Sequence, residues 1–344
     1  MDVVNGSNKS ISYIEENGIT VVITAFNRRE FINQAVDSVL KQRCHPEKFE
    51  IIIITNFDLT LPKTEVQIRT LNIQGTIGEY LAKGLILSKY DIVAFLDDDD
   101  VWTENKILRL ARVFSDLSIV FYHNAHSYID SQGNPLKYVR NVEKTNLDSF
   151  KSPLVFSPSS DPKRLREAIG RSADFNLSCM AVRKAVMLPF IDVLKLITSG
   201  PDAFFFWVSV ISGGSIYIDN LKLTKYRVHG LNVSGAGSYE KKEKELQREI
   251  RTFSLLESLV ESTHQKGIEN MIVRRWLHLY ISEYELISLV FGKGRRLSLV
   301  KKIISLMNSG FGCRNTLKYR ALAFGLLGIL SRKIALSIYS RTRS

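Results

Sequence analysis

The sequence predicts an α/β protein: a parallel or mixed sheet covered by helices on both faces, followed by a basic helical extension. Three observations carry this expectation. Apolar, β-branched runs alternate with stretches of helical period as far as Phe114. One run, Ile92 to Leu96, ends in four consecutive aspartates, Asp97 to Asp100. The chain after Glu285 contains no acidic residue but twelve Lys and Arg.

Taken in order, Ile19 to Thr24 reads as a buried strand, and Phe31 to Leu40 follows with helical spacing. Phe49 to Thr55 is a second strand, and Gly78 to Ser88 a helix despite Gly84. Asp91 to Leu96 is the next strand and Glu104 to Phe114 the next helix. These strands are almost uniformly apolar, as they are when both sheet faces are covered. Residues 131–171 are polar and without a clear period, and are expected to form a flexible segment over the site. Packed structure resumes at Phe175. A helix is expected over Ala203 to Ile211, then short strands at Ile216 to Ile218 and Leu223 to Val228, with helices from Tyr239 onward. The expected division is an N-terminal extension to residue 17, a catalytic domain over 18–238 and a helical region over 239–344.

Acids at the C-terminal end of a buried strand cannot enter the core unpaired, so they belong in the ligand crevice of the sheet. Clustered carboxylates there suit a hard divalent cation and a phosphorylated ligand. A calcium loop of the EF-hand type is excluded, because the Gly and the distal Glu it needs are absent. The net charge of +12 suggests nucleic acid until it is mapped. Without the twelve basic residues beyond Glu285, the remaining 35 Lys and Arg are matched by 35 Asp and Glu. A neutral body with a basic tail argues against a nucleic-acid face. The three cysteines have no metal-ligand or disulfide spacing, which points to a reducing compartment.

Three motifs in order resemble the family 2 glycosyltransferases with a GT-A fold. They are Val22 to Arg28, Phe95 to Trp102 with its Asp-x-Asp, and Tyr226 to Ser234. The resemblance covers about Gly18 to Ser234. It implies an inverting transfer of a sugar from a nucleotide-diphosphate donor, with Mg²⁺ or Mn²⁺ as cofactor. Asp97 is then expected near the ribose, Asp98 beside the donor, and Asp99 on the metal with His229. Ala25, Phe26, Asn27 and Arg28 fall at the turn into the nucleotide pocket, and Gly78 lies where backbone would approach the diphosphate. Thr55 and Asn56 stand where the family often has an Asp pair reading the base, with Asp58 two positions on as an alternative, a departure that weakens base identity and leaves a lean towards uridine. Arg227 is expected to pair with phosphate. Asp202, before the aromatic run Phe204-Phe-Phe-Trp207, matches the general base, with Asp174 behind it and helix capping as the plain alternative.

The tail sets a second expectation. Leu299, Val300, Ile303, Ile304, Leu306 and Met307 gather on one helical side, and Ala321 to Leu330 is apolar but too short to span a bilayer. An apolar face flanked by bases suits an anionic membrane surface, so the expectation is a cytoplasmic protein peripherally attached to the cytoplasmic face. A saccharide or lipid-linked acceptor fits that location. A sugar-phosphate nucleotidyltransferase is disfavoured, because no Gly-rich loop follows the first strand, where Ala25 to Glu30 stands instead.

Overall fold

Ten strands form one sheet among the residues that the computed structural model describes, which are 18–45, 48–137, 147–149, 151–229, 239–262, 268–291, 296–308, 316–331 and 333–335. The strands are β1 (Ile19–Ala25), β2 (Phe49–Thr55), β3 (Gln67–Asn72), β4 (Ile92–Asp97), β5 (Val101–Trp102), β6 (Ile119–Ile129), β7 (Pro135–Leu136), β8 (Leu154–Phe156), β9 (Met180–Arg183) and β10 (Ser215–Arg227). Their order is β3-β2-β1-β4-β9-β6-β10-β5, with β7 on β6 and β8 on β10. The β3-β2-β1-β4 half is parallel, β9 is antiparallel to both β4 and β6, and β10 runs parallel to β6. This is the mixed α/β sheet of a GT-A fold.

Helices cover both faces, as the apolar strands require. The helices α1 (Ile32–Leu40) and α3 (Lys106–Phe114) share a core with Val21, Ile23, Ile51, Ile53 and Leu96 on one face. On the other, α2 (Ile77–Leu87) brings Gly84 against Val22, and α5 (Pro201–Ile211) sets Phe205 against Phe95 with ring centroids 4.3 Å apart. Phe204, Phe205, Phe206 and Trp207 are all fully buried, so α5 runs through the core rather than along the surface.

Residues 131–171 depart from the expectation of an aperiodic segment. They carry β7, β8 and α4 (Pro162–Ile169), the last capped by the Asp161 carboxylate on the Arg164 N–H. Proline at the first helical position and an aspartate cap are ordinary helix-start chemistry. Residues 138–146 and 150 lie outside the described residues. The two strands expected at 216–218 and 223–228 are one, β10, with irregular register around Asp219 to Thr224.

The chain divides into two compact units, Met1–Lys137 with Lys144–Val228, and Tyr138–Glu143 with His229–Ser344. The second unit contains α6 (Tyr239–Ser262), α7 (Ile268–Phe291), α8 (Arg296–Asn308) and α9 (Thr316–Leu330). Phe253 of α6 stacks on Tyr280 of α7 at 5.0 Å, and Leu286, Ile287, Val290, Leu299, Ile303 and Phe324 make a common core. The expected single apolar side of α8 is therefore split. Leu299 and Ile303 face this core, whereas Val300, Ile304 and Met307 are exposed, as are Leu326, Leu330 and Ile334. No described helix is long and apolar enough to cross a membrane.

Candidate active site

The order β2-β1-β4 makes the junction of β1 and β4 a point where the sheet's connections diverge, and such junctions open a crevice at the C-terminal strand ends. Thr24 is in register with Asp97 there, and its hydroxyl donates to Asp97 Oδ1 at 3.3 Å. The Asp98 N–H donates to the Thr24 carbonyl at 3.1 Å, and the Asp97 N–H to Ser178 Oγ at 3.0 Å. Strand pairing thus delivers the aspartates, and backbone bonds fix the turn that carries them. Arg28, from the turn after β1, donates through Nε to Asp98 Oδ2 at 2.8 Å and reaches Asp99 at 2.8 Å. Asp100 points inward, almost fully buried, and accepts the Arg227 N–H at 2.9 Å.

Crowding of acids sets the electrostatics. Burial, then the charges of Asp99 and Asp98, push Asp97 up to about 8. Burial also raises Asp98 to about 6, against the opposing hydrogen bond from Arg28. Burial, with the charges of Asp99 and Asp97, holds Asp100 well above the usual carboxylate range. Burial works against the Arg28 charge, but the hydrogen bond to Asp98 and the surrounding carboxylates hold its pKa above the ordinary value. The cluster holds more negative charge than one guanidinium offsets.

On the donor side, Ala25 is buried at the end of β1, while Phe26 is 54% exposed with its ring edge-on to Tyr80, centroids 6.2 Å apart. Phe26 is therefore not core. Asn27, at φ 56°, and Asn56 form a reciprocal pair: the Asn27 N–H donates to Asn56 Oδ1 at 2.9 Å, and Asn56 Nδ2 to Asn27 Oδ1 at 2.6 Å. Asp58 is exposed and accepts Asn72 Nδ2 at 2.7 Å. These residues, with Arg28, lie at or just beyond the C-terminal ends of β1 and β2, and Asn72 ends β3.

Two expectations for the donor side are corrected. Gly78 is packed against the segment 194–197: its N–H donates to the Ile197 carbonyl, and an added Cβ would lie 2.0 Å from the Leu194 carbonyl oxygen. It serves helix packing rather than diphosphate approach. Arg227 is fully buried, not offered to phosphate. Its Nε donates to the Asp99 carbonyl at 2.7 Å, one terminal nitrogen to the Asp130 and Ser131 carbonyls at 3.1 Å, and the other to Gln34 Oε1 at 2.7 Å, with the guanidinium over the Phe31 ring. It braces the acidic turn from beneath. Arg183 is similarly committed, to the carbonyls of Ile119, Phe114 and Asp116.

Asp202 occupies the second position of α5. Gly200, not Asp202, takes the cap position. The carboxylate accepts the Asn176 N–H on Oδ2 and the Ala203 N–H on Oδ1, each at 3.0 Å. Its charge contributes to the elevation of Asp97, which puts the two in one electrostatic neighbourhood. Asp174 is half-buried nearby in sequence. His229 belongs to the second unit, and residues 230–234 of its motif lie outside the described residues.

Behind the turn is a polar core that the sequence did not reveal. The Ser178 carbonyl accepts three donors, Trp102 Nε1 at 2.9 Å, Lys106 Nζ at 2.6 Å and Thr224 Oγ1 at 3.1 Å. Lys106 Nζ lies over the Trp102 ring at 4.3 Å. Nothing in the sequence signals this role for Ser178, since these partners lie 46 to 81 positions away. An open cleft of about 620 Å³ lies beyond Arg227, lined by Gln34, Lys41, Trp102, Glu104 and Gly133 among others, but by none of the four aspartates.

The sheet, its divergent junction and the acidic turn define a GT-A fold with a candidate sugar-nucleotide crevice. Residues 20–181 match the family described as Glycosyl transferase family 2. A Rickettsia bellii protein described as an uncharacterized glycosyltransferase is 23% identical over 237 residues, 66% of this chain and 31% of that protein. The putative teichuronic acid biosynthesis glycosyltransferase TuaG of Bacillus subtilis is 26% identical over 149 residues, 40% of this chain and 58% of its own. The matches thus span between about a third and three-fifths of those relatives. The crystal structure of S. aureus TarS 1-349 in complex with UDP superposes with a TM-score of 0.51 at 12% identity, covering 95% of this chain and 87% of that one. That likeness is one of fold.

Proposed function

We propose that the protein transfers one sugar from a nucleotide-diphosphate sugar, with uridine the favoured nucleoside, to a hydroxyl of a saccharide or lipid-linked saccharide, with inversion. The observation that carries this reading is the placement of Asp97 to Asp99 at the β1–β4 junction with Asp202 in electrostatic reach of Asp97. The TarS crystal structures described as complexes with UDP and UDP-GlcNAc support a nucleotide-sugar donor. Phe26 offers an exposed ring to a base, and the Asn27–Asn56 pair offers amides to its edge.

Mg²⁺ or Mn²⁺ fits the donor set. The oxygens of Asp98 and Asp99 are hard ligands in a cluster short of positive charge. Among the described residues no three His, Cys, Asp or Glu side chains form a ready metal site. That suits a cation completing its shell with substrate phosphate oxygens and water. Asp99 would hold it. When bound, the ion supplies positive charge against the departing diphosphate.

The chain's own residues do the rest. Asp202, as carboxylate, takes the proton from the acceptor hydroxyl, whose oxygen forms the new bond to the anomeric carbon. The bond from that carbon to the diphosphate oxygen breaks, and its electron pair leaves with the diphosphate. Asp97 orients the ribose.

The exposed Val300, Ile304, Met307, Leu326 and Leu330, beside the basic residues of the tail, support attachment to an anionic membrane surface at the cytoplasmic face. The test of the reaction is product analysis across a panel of nucleotide sugars. Nucleoside diphosphate release and sugar transfer are expected, lost in EDTA, restored by Mn²⁺ and absent in Asp99→Ala. Full activity in EDTA removes the metal, and pyrophosphate as product points to a nucleotidyltransferase instead.

A further inference from the structure

Asp202 and the acidic strand end come from segments more than a hundred positions apart, yet one short turn touches both. We propose that Asn176 is the positioning residue for the base: it holds the turn that aims its own backbone N–H at Asp202 while the same turn anchors Asp97. This rests on the reading of Asp202 as general base.

The turn spans Leu177–Cys179, with Asn176 as its cap. Asn176 has φ 76° and ψ 94°, a left-handed backbone that L-residues rarely adopt. In that conformation its N–H donates to Asp202 Oδ2 at 3.0 Å. Its side-chain Oδ1 accepts the Ser178 N–H at 3.0 Å, which closes the turn and offsets part of the strain. Two residues on, Ser178 Oγ accepts the Asp97 N–H, and the Ser178 carbonyl takes the three donors from Trp102, Lys106 and Thr224. Base, turn and acidic strand end are therefore joined by two consecutive hydrogen-bonded steps.

Asn176 also carries a cost that folding does not explain. Its Nδ2 is buried and has no partner among the described residues. An unsatisfied buried donor costs on the order of 1–3 kcal/mol. Glycine would relieve both the strain and the orphan amide. The left-handed backbone, rather than the amide, aims the N–H at Asp202, and that geometry is what the position supplies.

The experiment compares Asn176→Ala, Asn176→Gly, Asp202→Asn and the double variant Asn176→Ala/Asp202→Asn, measuring turnover, donor KM and melting temperature for each. Alanine cannot hold the left-handed backbone, so it is expected to lose on the order of 10²-fold in kcat, with donor KM unchanged. Glycine keeps the backbone and with it the N–H to Asp202. It is therefore expected to stay within a few-fold of wild type in kcat, whatever its melting temperature. In the Asp202→Asn background, Asn176→Ala is expected to add no further loss, because the two residues act as a unit. The inference is overturned if kcat follows melting temperature across the variants, or if the alanine loss is the same in both backgrounds. If Asp202→Asn alone keeps full turnover, the reading of the base fails instead, and that outcome is visible without any change at Asn176.

Discussion

Lys106 lies wholly inside the protein, over the Trp102 ring and against the Ser178 carbonyl, with Asp100 and Cys179 as its titratable neighbours. Burial lowers it to about 7, a change that the nearby Cys179 and Asp100 only partly oppose. The consequence for stability has a definite sign. Above pH 7 the folded protein has shed this proton, while the unfolded chain keeps it up to the ordinary lysine range, so the unfolded state binds more protons and stability rises with pH. Between about pH 7 and 8.5, below the ordinary thiol range, this amounts to about 1–2 kcal/mol. Asp97 and Asp100, raised by burial, pull the other way over this range but do so in both proteins, so chemical denaturation is expected to show the wild type gaining that much relative to Lys106→Met; equal slopes would count against a neutral buried lysine. None of this was legible in the sequence, where Lys106 is one more residue after an acidic run. Arg227 misled for the same reason. Its motif pointed to phosphate, but its partners Gln34, Asp99 and Asp130 come from α1, the turn after β4 and the segment just past β6, which only the folded chain brings together.

At the scale of elements, the sequence read best where burial was complete. β1, β2 and β4 are buried on both faces and fell within a residue of expectation. β3 was missed because its side chains are mostly half-exposed or exposed, so Gln67 to Asn72 has no apolar run. β6 was missed because His123, Asn124 and His126 interrupt it; burial lowers the two histidines to about 3 and about 4, so both stay uncharged inside the sheet. The start of α2 was legible, but the reason for its glycine was not. Thr76 and Glu79 form a reciprocal cap, and Gly78 follows because the helix end meets the carbonyls of Leu194 and Ile197. Gly78→Ala therefore forces the backbone apart and is expected to cost about 1–3 kcal/mol or more, as overpacking does. Thermal melting measures that cost. Donor KM at a temperature where the variant is folded should stay near wild type, whereas a large rise in KM without loss of stability would restore the diphosphate role.

At the scale of the whole molecule, charge is segregated along the chain, with a neutral body and twelve basic residues beyond Glu285. Those bases attract an anionic surface at about 1 kcal/mol for each one near it, a contribution that salt screens. On the proposed membrane reading, the exposed Ile304, Met307, Leu326 and Leu330 would add apolar burial at the headgroup boundary, which salt leaves intact. High salt should therefore loosen the protein from anionic vesicles without releasing it fully. Truncation before Gly292 is a poor test, because it strips Leu286, Ile287 and Val290 of cover from α8 and α9. Exchanging outward residues alone leaves that shared core in place. The double variant Ile304→Glu/Leu330→Glu is expected to keep its melting temperature and its transfer to a short water-soluble acceptor, yet sediment several-fold less with anionic vesicles. The membrane role fails if the variant sediments like wild type, or if wild type binds neutral and anionic vesicles equally, since the basic tail would then contribute nothing to attachment.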